Sequence, residues 1–172
     1  MIIWISGLSA AGKTTVGSAL TEALRKDGKP VVFLDGDILR EVWQDDLGYT
    51  LDERRINAKR ISYLCRMLDR QGINVVAAVL YPFAEWIAWN RKHADQFFMT
   101  LLDVPMTTLE ARDPKGLYAG ARAGTIKNVV GVDLKFEQAI DSDLVLFNGE
   151  PLRTPASLAE EIVEHLPPFK GR

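Results

Sequence analysis

The stretch GLSAAGKTT, residues 7–15, has the composition and spacing of a phosphate-binding loop. It fits the pattern G-x-x-x-x-G-K-[ST], called a P-loop, in which backbone N–H groups point at nucleotide phosphates. An apolar run precedes it and a helical pattern follows it, as this mechanism requires. Lys13 is expected to neutralise the β/γ-phosphate oxygens, and the Thr14 hydroxyl to bind Mg²⁺. The residues predicted to bind ATP here are Gly7, Leu8, Ser9, Ala10, Ala11, Gly12, Lys13, Thr14 and Thr15.

Two aspartates in the stretch LDGDILR follow the next predicted strand. Asp35 and Asp37 flank Gly36 at the carboxyl end of that strand, which is the edge where α/β sheets bind ligands. One carboxylate can hold a magnesium-bound water, while the other orients or deprotonates an attacking hydroxyl. The residues alone leave open which aspartate has which role. Arg40 follows one helical turn after Asp37 and is expected to bind an anionic acceptor.

Two further segments carry residues suited to an acceptor and its phosphate. Arg54 and Asn57 are three residues apart, so on a helix they share a face. Residues 112–133, RDPKGLYAGARAGTIKNVVGVD, are rich in glycine and basic residues and poor in apolar periodicity. They are predicted to form a long loop, and such loops within a domain are usually functional. Lys115, Arg122 and Lys127 are expected to close over the transferring phosphoryl group.

Short apolar runs alternate with helical patterns along the chain, which is typical of an α/β fold with a mainly parallel sheet. Most of the runs are continuously apolar, as expected for strands covered by helices on both faces. Strands are predicted at residues 2–6, 31–34, 75–80, 97–103 and 144–147. Helices are predicted from the apolar positions 16, 20, 23 and 24, then 56, 61, 64 and 68, and finally 158, 162 and 163.

The length and charge of the chain limit the classes of function. A chain of 172 residues with a net charge of −2 predicts one domain and gives no reason to expect nucleic acid or membrane as a partner. Small-molecule nucleotides are the expected partners. Cys65 lies among apolar residues at helical spacing, so it is expected to be buried and structural. We find no signal peptide or membrane-spanning run and expect a cytoplasmic protein; a homodimer stays open. The absence of an N-K-x-D motif excludes a GTPase.

Five motifs together resemble one family. GLSAAGKTT, LDGDILR, LGYTLDERRIN, RDPKGLYAGARAGTIKN and GVD occur in the order and spacing of adenylylsulfate (APS) kinases. The resemblance implies a magnesium-dependent kinase of sulfate assimilation that moves the γ-phosphate of ATP to the 3′-hydroxyl of adenylyl sulfate. It also implies a P-loop three-layer sandwich like that of nucleoside monophosphate kinases. Residues 1–172 would form a single domain whose lid spans about 112–133.

The resemblance assigns roles by position. It implies that Lys13, Asp37 and Lys115 are catalytic, with Asp37 near the 3′-hydroxyl, and that Thr14 and Asp35 hold the metal. Arg112 would lie on the ATP side. The residues implied to bind the acceptor are Asp37, Arg40, Tyr49, Arg54, Asn57, Tyr81, Lys115, Lys127, Asn128 and Val129. Among them, Tyr49 takes the place of an aromatic residue that stacks on the acceptor base.

Two departures from the family pattern affect the acceptor pocket. The family usually reads Ser-Pro-Tyr-Arg at residues 81–84 and Asn-Phe-Thr-Gly at residues 128–131, where this chain has YPFA and NVVG. The missing phenylalanine would be the second face around the base, and a stack contributes about 1–3 kcal/mol. An alternative function is therefore a kinase of a cytidine diphosphate-linked acceptor, such as cytidine diphosphoramidate in capsule modification. A third is a non-catalytic nucleotide-binding module, which the intact Lys13, Thr14, Asp35 and Asp37 disfavour.

Overall fold

Five short apolar runs form one parallel sheet in the computed structural model, which describes residues 1–136 and 141–170. The strands are β1 (Ile2–Ser6), β2 (Val31–Asp35), β3 (Asn74–Val79), β4 (Phe97–Asp103) and β5 (Leu144–Phe147). Their order is β2-β3-β1-β4-β5, and every pairing is parallel. The sequence predicted all five strands, with only the end of β2 and both ends of β3 displaced by one residue.

Helices connect the strands, and seven lie in the described part of the chain. They are α1 (Lys13–Lys26), α2 (Gly36–Val42), α3 (Leu51–Asp69), α4 (Ala84–His93), α5 (Met106–Arg112), α6 (Leu117–Arg122) and α7 (Pro155–His165). The described helices are all too short or too polar to cross a bilayer. The α/β architecture with helices on both faces of a parallel sheet is the predicted one.

The central strand, β1, is buried along its whole length. Ile3 and Ile5 pack on one face, in the core that includes residues of α1 and α7. Ile2 and Trp4 point to the opposite face, where α3 and α4 contribute Ile61 and Ile87. Because side chains alternate along a strand, one continuously apolar run contributes to both cores. This three-layer arrangement holds the carboxyl end of β1 rigidly in the middle of the sheet.

Side-chain caps fix where two of the longer helices begin. The Thr50 hydroxyl accepts from the Glu53 amide at 3.3 Å, and the Glu53 carboxylate accepts from the Thr50 amide at 3.0 Å. This reciprocal capping box starts α3 directly before the residues predicted to meet the acceptor. Thr154 caps α7 with its hydroxyl alone, which accepts from the Ser157 amide at 3.1 Å, and Pro155 is the first helical residue.

The prediction of a continuous loop over residues 112–133 is wrong in part. The segment includes the end of α5 and the six-residue helix α6. Asp113 accepts hydrogen bonds from the amides of Leu117 and Ala119, at 2.8 and 3.0 Å, and so caps α6. The sequence also failed to predict α2, α4 and α5. At six or seven residues, α2, α5 and α6 are too short to show a periodic apolar face. The ten-residue α4 buries only Ile87 and Asn90, so it shows no apolar stripe either.

The predicted apolar stripe of α3 is also wrong at one position. Ile61 is fully buried, and Leu64 and Leu68 pack against the core, but 44% of Ile56 is exposed. Ile56 lies five residues before Ile61, which places it on a different face of the helix. Cys65 is buried, as predicted, and desolvation raises the pKa of its thiol.

These two isoleucines allow a matched test of the packing. We expect Ile61→Ala to lower the free energy of unfolding by about 2–5 kcal/mol, because it leaves a cavity in the core. Ile56→Ala is expected to change the same quantity by about 0.5 kcal/mol or less. Both substitutions lie in α3, so any gain in helix propensity is the same. Urea unfolding of the two variants measures the difference, and equal destabilisation would contradict this placement of Ile56.

Candidate active site

A cleft of about 770 Å³ opens at the carboxyl edge of the sheet, where β1, β2 and β3 end. Its lining comes from the P-loop, the turn after β2, the start of α3, and parts of residues 112–130 and 148–158. The volume lies in the range of ordinary ligand pockets. Binding crevices of open α/β sheets lie at this edge, so the cleft is the candidate active site.

The P-loop backbone is shaped for an anion. Gly12 has a φ of +94°, and a side chain there would lie 3.0 Å from the Asn148 amide nitrogen. At Gly7 a side chain would approach the Leu102 carbonyl oxygen to 2.9 Å. No described side chain accepts a hydrogen bond from the first turn of α1, which starts at Lys13. The N–H groups of that turn therefore point into the cleft with the positive end of the helix dipole.

The Lys13 ammonium lies within this loop and donates to the Leu8 carbonyl oxygen at 2.8 Å. Desolvation lowers its pKa from 10.5 to about 8, although the nearby carboxylates of Asp37 and Asp35 act in the opposite direction. A bound phosphate group would bring negative charge next to this desolvated ammonium and would favour its charged form. The cation is thus placed where charge neutralisation by a ligand has the largest effect.

Thr14 and Asp35 form the contact that best fits a magnesium site. The Thr14 hydroxyl donates to Asp35 Oδ2 at 2.6 Å, and Asp35 Oδ1 accepts from the Asp37 amide at 2.8 Å. The described residues contain no group of three or more His, Cys, Asp or Glu side chains suited to a metal. Mg²⁺ in kinases commonly takes one or two protein oxygens and fills its shell with water and phosphate. The hydroxyl and carboxylate oxygens found here fit that donor set.

Asp37 forms an ion pair across the cleft mouth with Lys115, at 2.7 Å. Both side chains are more than half exposed, so the pair is open to solvent. Desolvation raises the pKa of Asp37, but the hydrogen bond and charge of Lys115, with Lys13 nearby, lower it by more. The Asp37 carboxylate is therefore ionised near neutral pH and able to accept a hydrogen bond or a proton.

Arg40 and Tyr49 form a cation–π contact, with the guanidinium carbon 4.6 Å from the ring centroid. Arg40 is buried, and its Nη1 donates to the carbonyls of Leu47 and Gly48, each at 2.9 Å. This arginine, predicted to bind an anionic acceptor, therefore also fixes the turn that presents Tyr49. The Tyr49 side chain is 53% exposed, so its ring offers area to a ligand.

Arg54 and Asn57 both line the cleft from α3, as their spacing predicts. Arg54 Nε donates to the Tyr49 carbonyl and its Nη2 to the Asn128 carbonyl, both at 2.9 Å. Asn57 is buried, and its Oδ1 has no hydrogen-bond partner among the described residues. A buried acceptor without a partner is costly, so a ligand donor is the natural partner for Asn57.

The remaining predicted acceptor residues also line the cleft. Arg122, which was predicted to close over the phosphoryl group, does not line it. Tyr81 is buried, stacks near Phe83 with 4.4 Å between ring centroids, and donates to the Lys135 carbonyl at 3.3 Å. Lys127, Asn128 and Val129 form part of the wall. Arg122 is 60% exposed and pairs with Glu110 at 2.8 Å. The prediction that Arg122 closes over the phosphoryl group is therefore wrong, because α6 directs it toward α5.

Comparison with known proteins identifies this arrangement. A family model described as adenylylsulphate kinase matches residues 1–147. The chain belongs to the adenylylsulphate kinase family. The adenylyl-sulfate kinase of Aeromonas salmonicida is 37% identical over 169 residues, which cover 96% of this chain and 85% of that protein.

Solved structures agree with this assignment. The structure of the Mycobacterium tuberculosis APS kinase CysC in complex with AMPPNP and APS matches with a TM-score of 0.87 and 36% identity, over 95% of each chain. A gluconokinase from Sinorhizobium meliloti has a TM-score of 0.62 and 19% identity, covering 95% of this chain and 89% of its own, and it shares the fold alone. The family resemblance and the fold class inferred from the sequence are confirmed.

In this adenylylsulphate kinase-family chain, side chains far along the sequence brace the P-loop. Asn148 Nδ2 donates to the Ala11 carbonyl at 2.9 Å, and the Tyr118 hydroxyl donates to the Ser9 carbonyl at 2.9 Å. Arg112, predicted on the ATP side, donates to the Asn148 carbonyl at 2.9 Å and contacts the Ala10 carbonyl at 3.4 Å. Sequence reasoning missed the roles of Asn148 and Tyr118, since no local pattern links them to residues more than 100 positions away.

The low pKa of Lys13 predicts that ATP binding takes up protons above pH 8. Phosphate charge raises this pKa, so the complex holds a proton that the free protein has lost. ATP affinity should consequently fall as the pH rises through about 8 to 10, by up to about tenfold per unit. Titration calorimetry at pH 8.5 in two buffers of different ionisation enthalpy measures the uptake. Lys13→Met should abolish it, and a parent protein with no uptake would contradict the assignment.

Proposed function

We propose that this chain transfers the γ-phosphate of ATP to the 3′-hydroxyl of adenylyl sulfate (APS). One observation carries the proposal: the P-loop and the Asp37–Lys115 pair meet in a single cleft. Lys13, Asp35, Asp37 and Lys115 all line this cleft, which supports a donor and an acceptor bound side by side. The match over 95% of the chain to an APS kinase with AMPPNP and APS supports the same pair of substrates.

The donor half would use residues 7–15 and Arg112. Backbone N–H groups of the loop and the first turn of α1 would bind the β- and γ-phosphates, with Lys13 moving from the Leu8 carbonyl to the phosphate oxygens. Thr14 and Asp35 would hold Mg²⁺, which, when bound, neutralises charge on the β- and γ-phosphates. The metal role would then belong to Asp35, because its carboxylate contacts the Thr14 hydroxyl.

The transfer step would depend on Asp37. Its ionised carboxylate would accept the proton of the 3′-hydroxyl as that oxygen attacks the γ-phosphorus. A new P–O bond forms, the bond between the γ-phosphorus and the β,γ-bridging oxygen breaks, and ADP leaves. Lys115, which the acceptor would draw away from Asp37, would then stabilise the transferring phosphoryl oxygens together with Lys13.

The acceptor half would hold APS by stacking, charge and hydrogen bonds. Tyr49 offers its exposed ring to the base, and Arg54 supplies positive charge beside it at 5.3 Å from the ring centroid. Asn57 Oδ1, which has no hydrogen-bond partner among the described residues, would accept from a donor of the acceptor nucleotide. Arg40, Tyr81, Lys127, Asn128 and Val129 would complete the wall. Small-molecule nucleotides are then the partners, and we place the reaction in the cytoplasm, where ATP is available.

Release of ADP in the presence of ATP and Mg²⁺ tests this function. We expect turnover with APS and none above background with cytidine diphosphate-linked compounds or simple nucleosides. Exclusive turnover of a cytidine diphosphate-linked compound would refute the proposal.

The role of Asp37 gives a sharper prediction. Asp37→Asn is nearly isosteric but a poor base, so kcat should fall by about a hundredfold or more while the KM for ATP stays close to that of the parent. Asp45→Asn, in the turn after α2 and outside the cleft lining, is the matched control and should retain parental kinetics. A collapse of ATP·Mg²⁺ binding in Asp37→Asn would instead assign the metal to Asp37.

A further inference from the structure

Asp133 lies just beyond the cleft wall and accepts hydrogen bonds from the backbone of two residues that form this wall. Its Oδ2 accepts from the Asn128 amide and its Oδ1 from the Val129 amide, each at 2.6 Å. The side chain of Asp133 is exposed and does not line the cleft. Desolvation raises the pKa of Asp133, but the backbone hydrogen bonds lower it by more, so the carboxylate is ionised. We call the two hydrogen bonds to the Asn128 and Val129 amides the Asp133 clamp. Bonds to a charged acceptor are about twice as strong as neutral ones.

The backbone held by Asp133 turns sharply at Asn128. Asn128 has a φ of +64°, in the left-handed region, which asparagine adopts more readily than most residues other than glycine. The Val129 carbonyl also closes the turn, since it accepts from the amides of residues 132, 133 and 134 at 3.1 to 3.2 Å. The direction of the Asn128 carbonyl and of the Val129 side chain is therefore set by this turn.

Both of these groups face the predicted acceptor side. The Asn128 carbonyl accepts from Arg54 Nη2 at 2.9 Å, and Arg54 Nε donates in turn to the Tyr49 carbonyl at 2.9 Å. Val129 is buried and contributes to the cleft lining. A chain of direct contacts thus runs from the Asp133 carboxylate through Asn128 and Arg54 to the turn that carries Tyr49.

We propose that Asp133 is a positioning residue, which sets the acceptor wall by clamping the Asn128 and Val129 amides and thereby placing Arg54. The inference rests on the proposed function, because it assumes that this side of the cleft receives APS. Asp133 makes no contact with the P-loop or with Thr14 and Asp35 among the described hydrogen bonds. Its hydrogen bonds therefore act on the acceptor side, although the same turn also lies near the P-loop, since a side chain at Gly131 would be 3.4 Å from Leu8.

A comparison with Asp113 sharpens this division. Asp113 accepts hydrogen bonds from the amides of Leu117 and Ala119 at the other end of the 112–133 segment. It lies next to Arg112, on the predicted donor side. Each end of the segment is thus fixed by one aspartate that accepts from a pair of amides. The two sets of hydrogen bonds share no residue, so we expect the loss of the Asp133 bonds to affect the acceptor side more than the donor side.

The test compares Asp133→Asn with the parent in steady-state kinetics and in amide hydrogen exchange by NMR. The asparagine has one acceptor oxygen and presents an NH₂ group to a backbone N–H, so the clamp is lost without a change in size. We expect the KM for APS to rise about tenfold, equivalent to about 1.4 kcal/mol. The kcat and the KM for ATP should change less than about twofold, which is only about 0.4 kcal/mol. Exchange should accelerate at the Asn128 and Val129 amides.

Two further variants separate positioning from general stability. Asp133→Glu keeps both acceptor oxygens and should restore part of the APS affinity. Asp141→Asn removes a carboxylate that pairs with Arg91, before the amino end of β5 and opposite the cleft, and should match the parent. A parental KM for APS in Asp133→Asn overturns the proposal. An equal loss for both substrates, accompanied by a lower melting temperature, overturns it as well.

The two proposals fail in different ways. If the parent enzyme does not phosphorylate APS, the proposed function fails, and hydrogen exchange alone then decides the role of Asp133. Faster exchange confined to the Asn128–Val129 turn and Arg54 side chain would support the clamp. Unchanged exchange there would overturn it.

Discussion

The parallel pairing of β1 with both β3 and β4 is the constraint on which the site depends. It places the P-loop at the centre of the carboxyl edge, with the end of β2 two strands away, beyond β3. Residues 21 positions apart can then meet, as Thr14 and Asp35 do at 2.6 Å. Continuous burial of β1 keeps this edge rigid, so the loop that follows it can adopt a left-handed glycine without loosening the fold.

Several charged groups of the cleft have partners within the protein itself. Lys13 donates to the Leu8 carbonyl, Asp37 pairs with Lys115, and Arg54 bridges two carbonyls. Substrates must replace these contacts, since a cation that leaves a carbonyl needs a phosphate or a carboxylate in return. Two uncharged side chains of the lining differ, because the buried Oδ1 atoms of Asn57 and Asn148 have no hydrogen-bond partner among the described residues. The cleft is thus largely preformed, and binding exchanges internal contacts for external ones instead of ordering new chain.

The sequence was sufficient for the features that depend on local spacing. The P-loop, the five strands and the pair Arg54–Asn57 follow from patterns within a few residues, and the structure places them as expected. Features set by distant contacts were not predictable. Asn148 supports Ala11 from 137 residues away, and the direction of Arg122 depends on α6, a helix too short to show periodicity. Ile56 was misplaced because an apolar residue on a helix does not by itself reveal which face is buried.

The start of α1, which has no side-chain cap, links two properties of the protein: ligand occupancy and resistance to unfolding. No described side chain caps its first turn, so a bound phosphate would take the place of an N-cap and would become part of the folded architecture. Occupancy and resistance to unfolding then rise together, by RT ln(1 + [L]/Kd) for a ligand that binds only the native state. A serine or aspartate introduced as a conventional cap would strengthen the empty protein by competing for the same N–H groups. The first turn of α1 therefore lacks the stability that a side-chain cap would add, and this same lack leaves its N–H groups available to bind a phosphate.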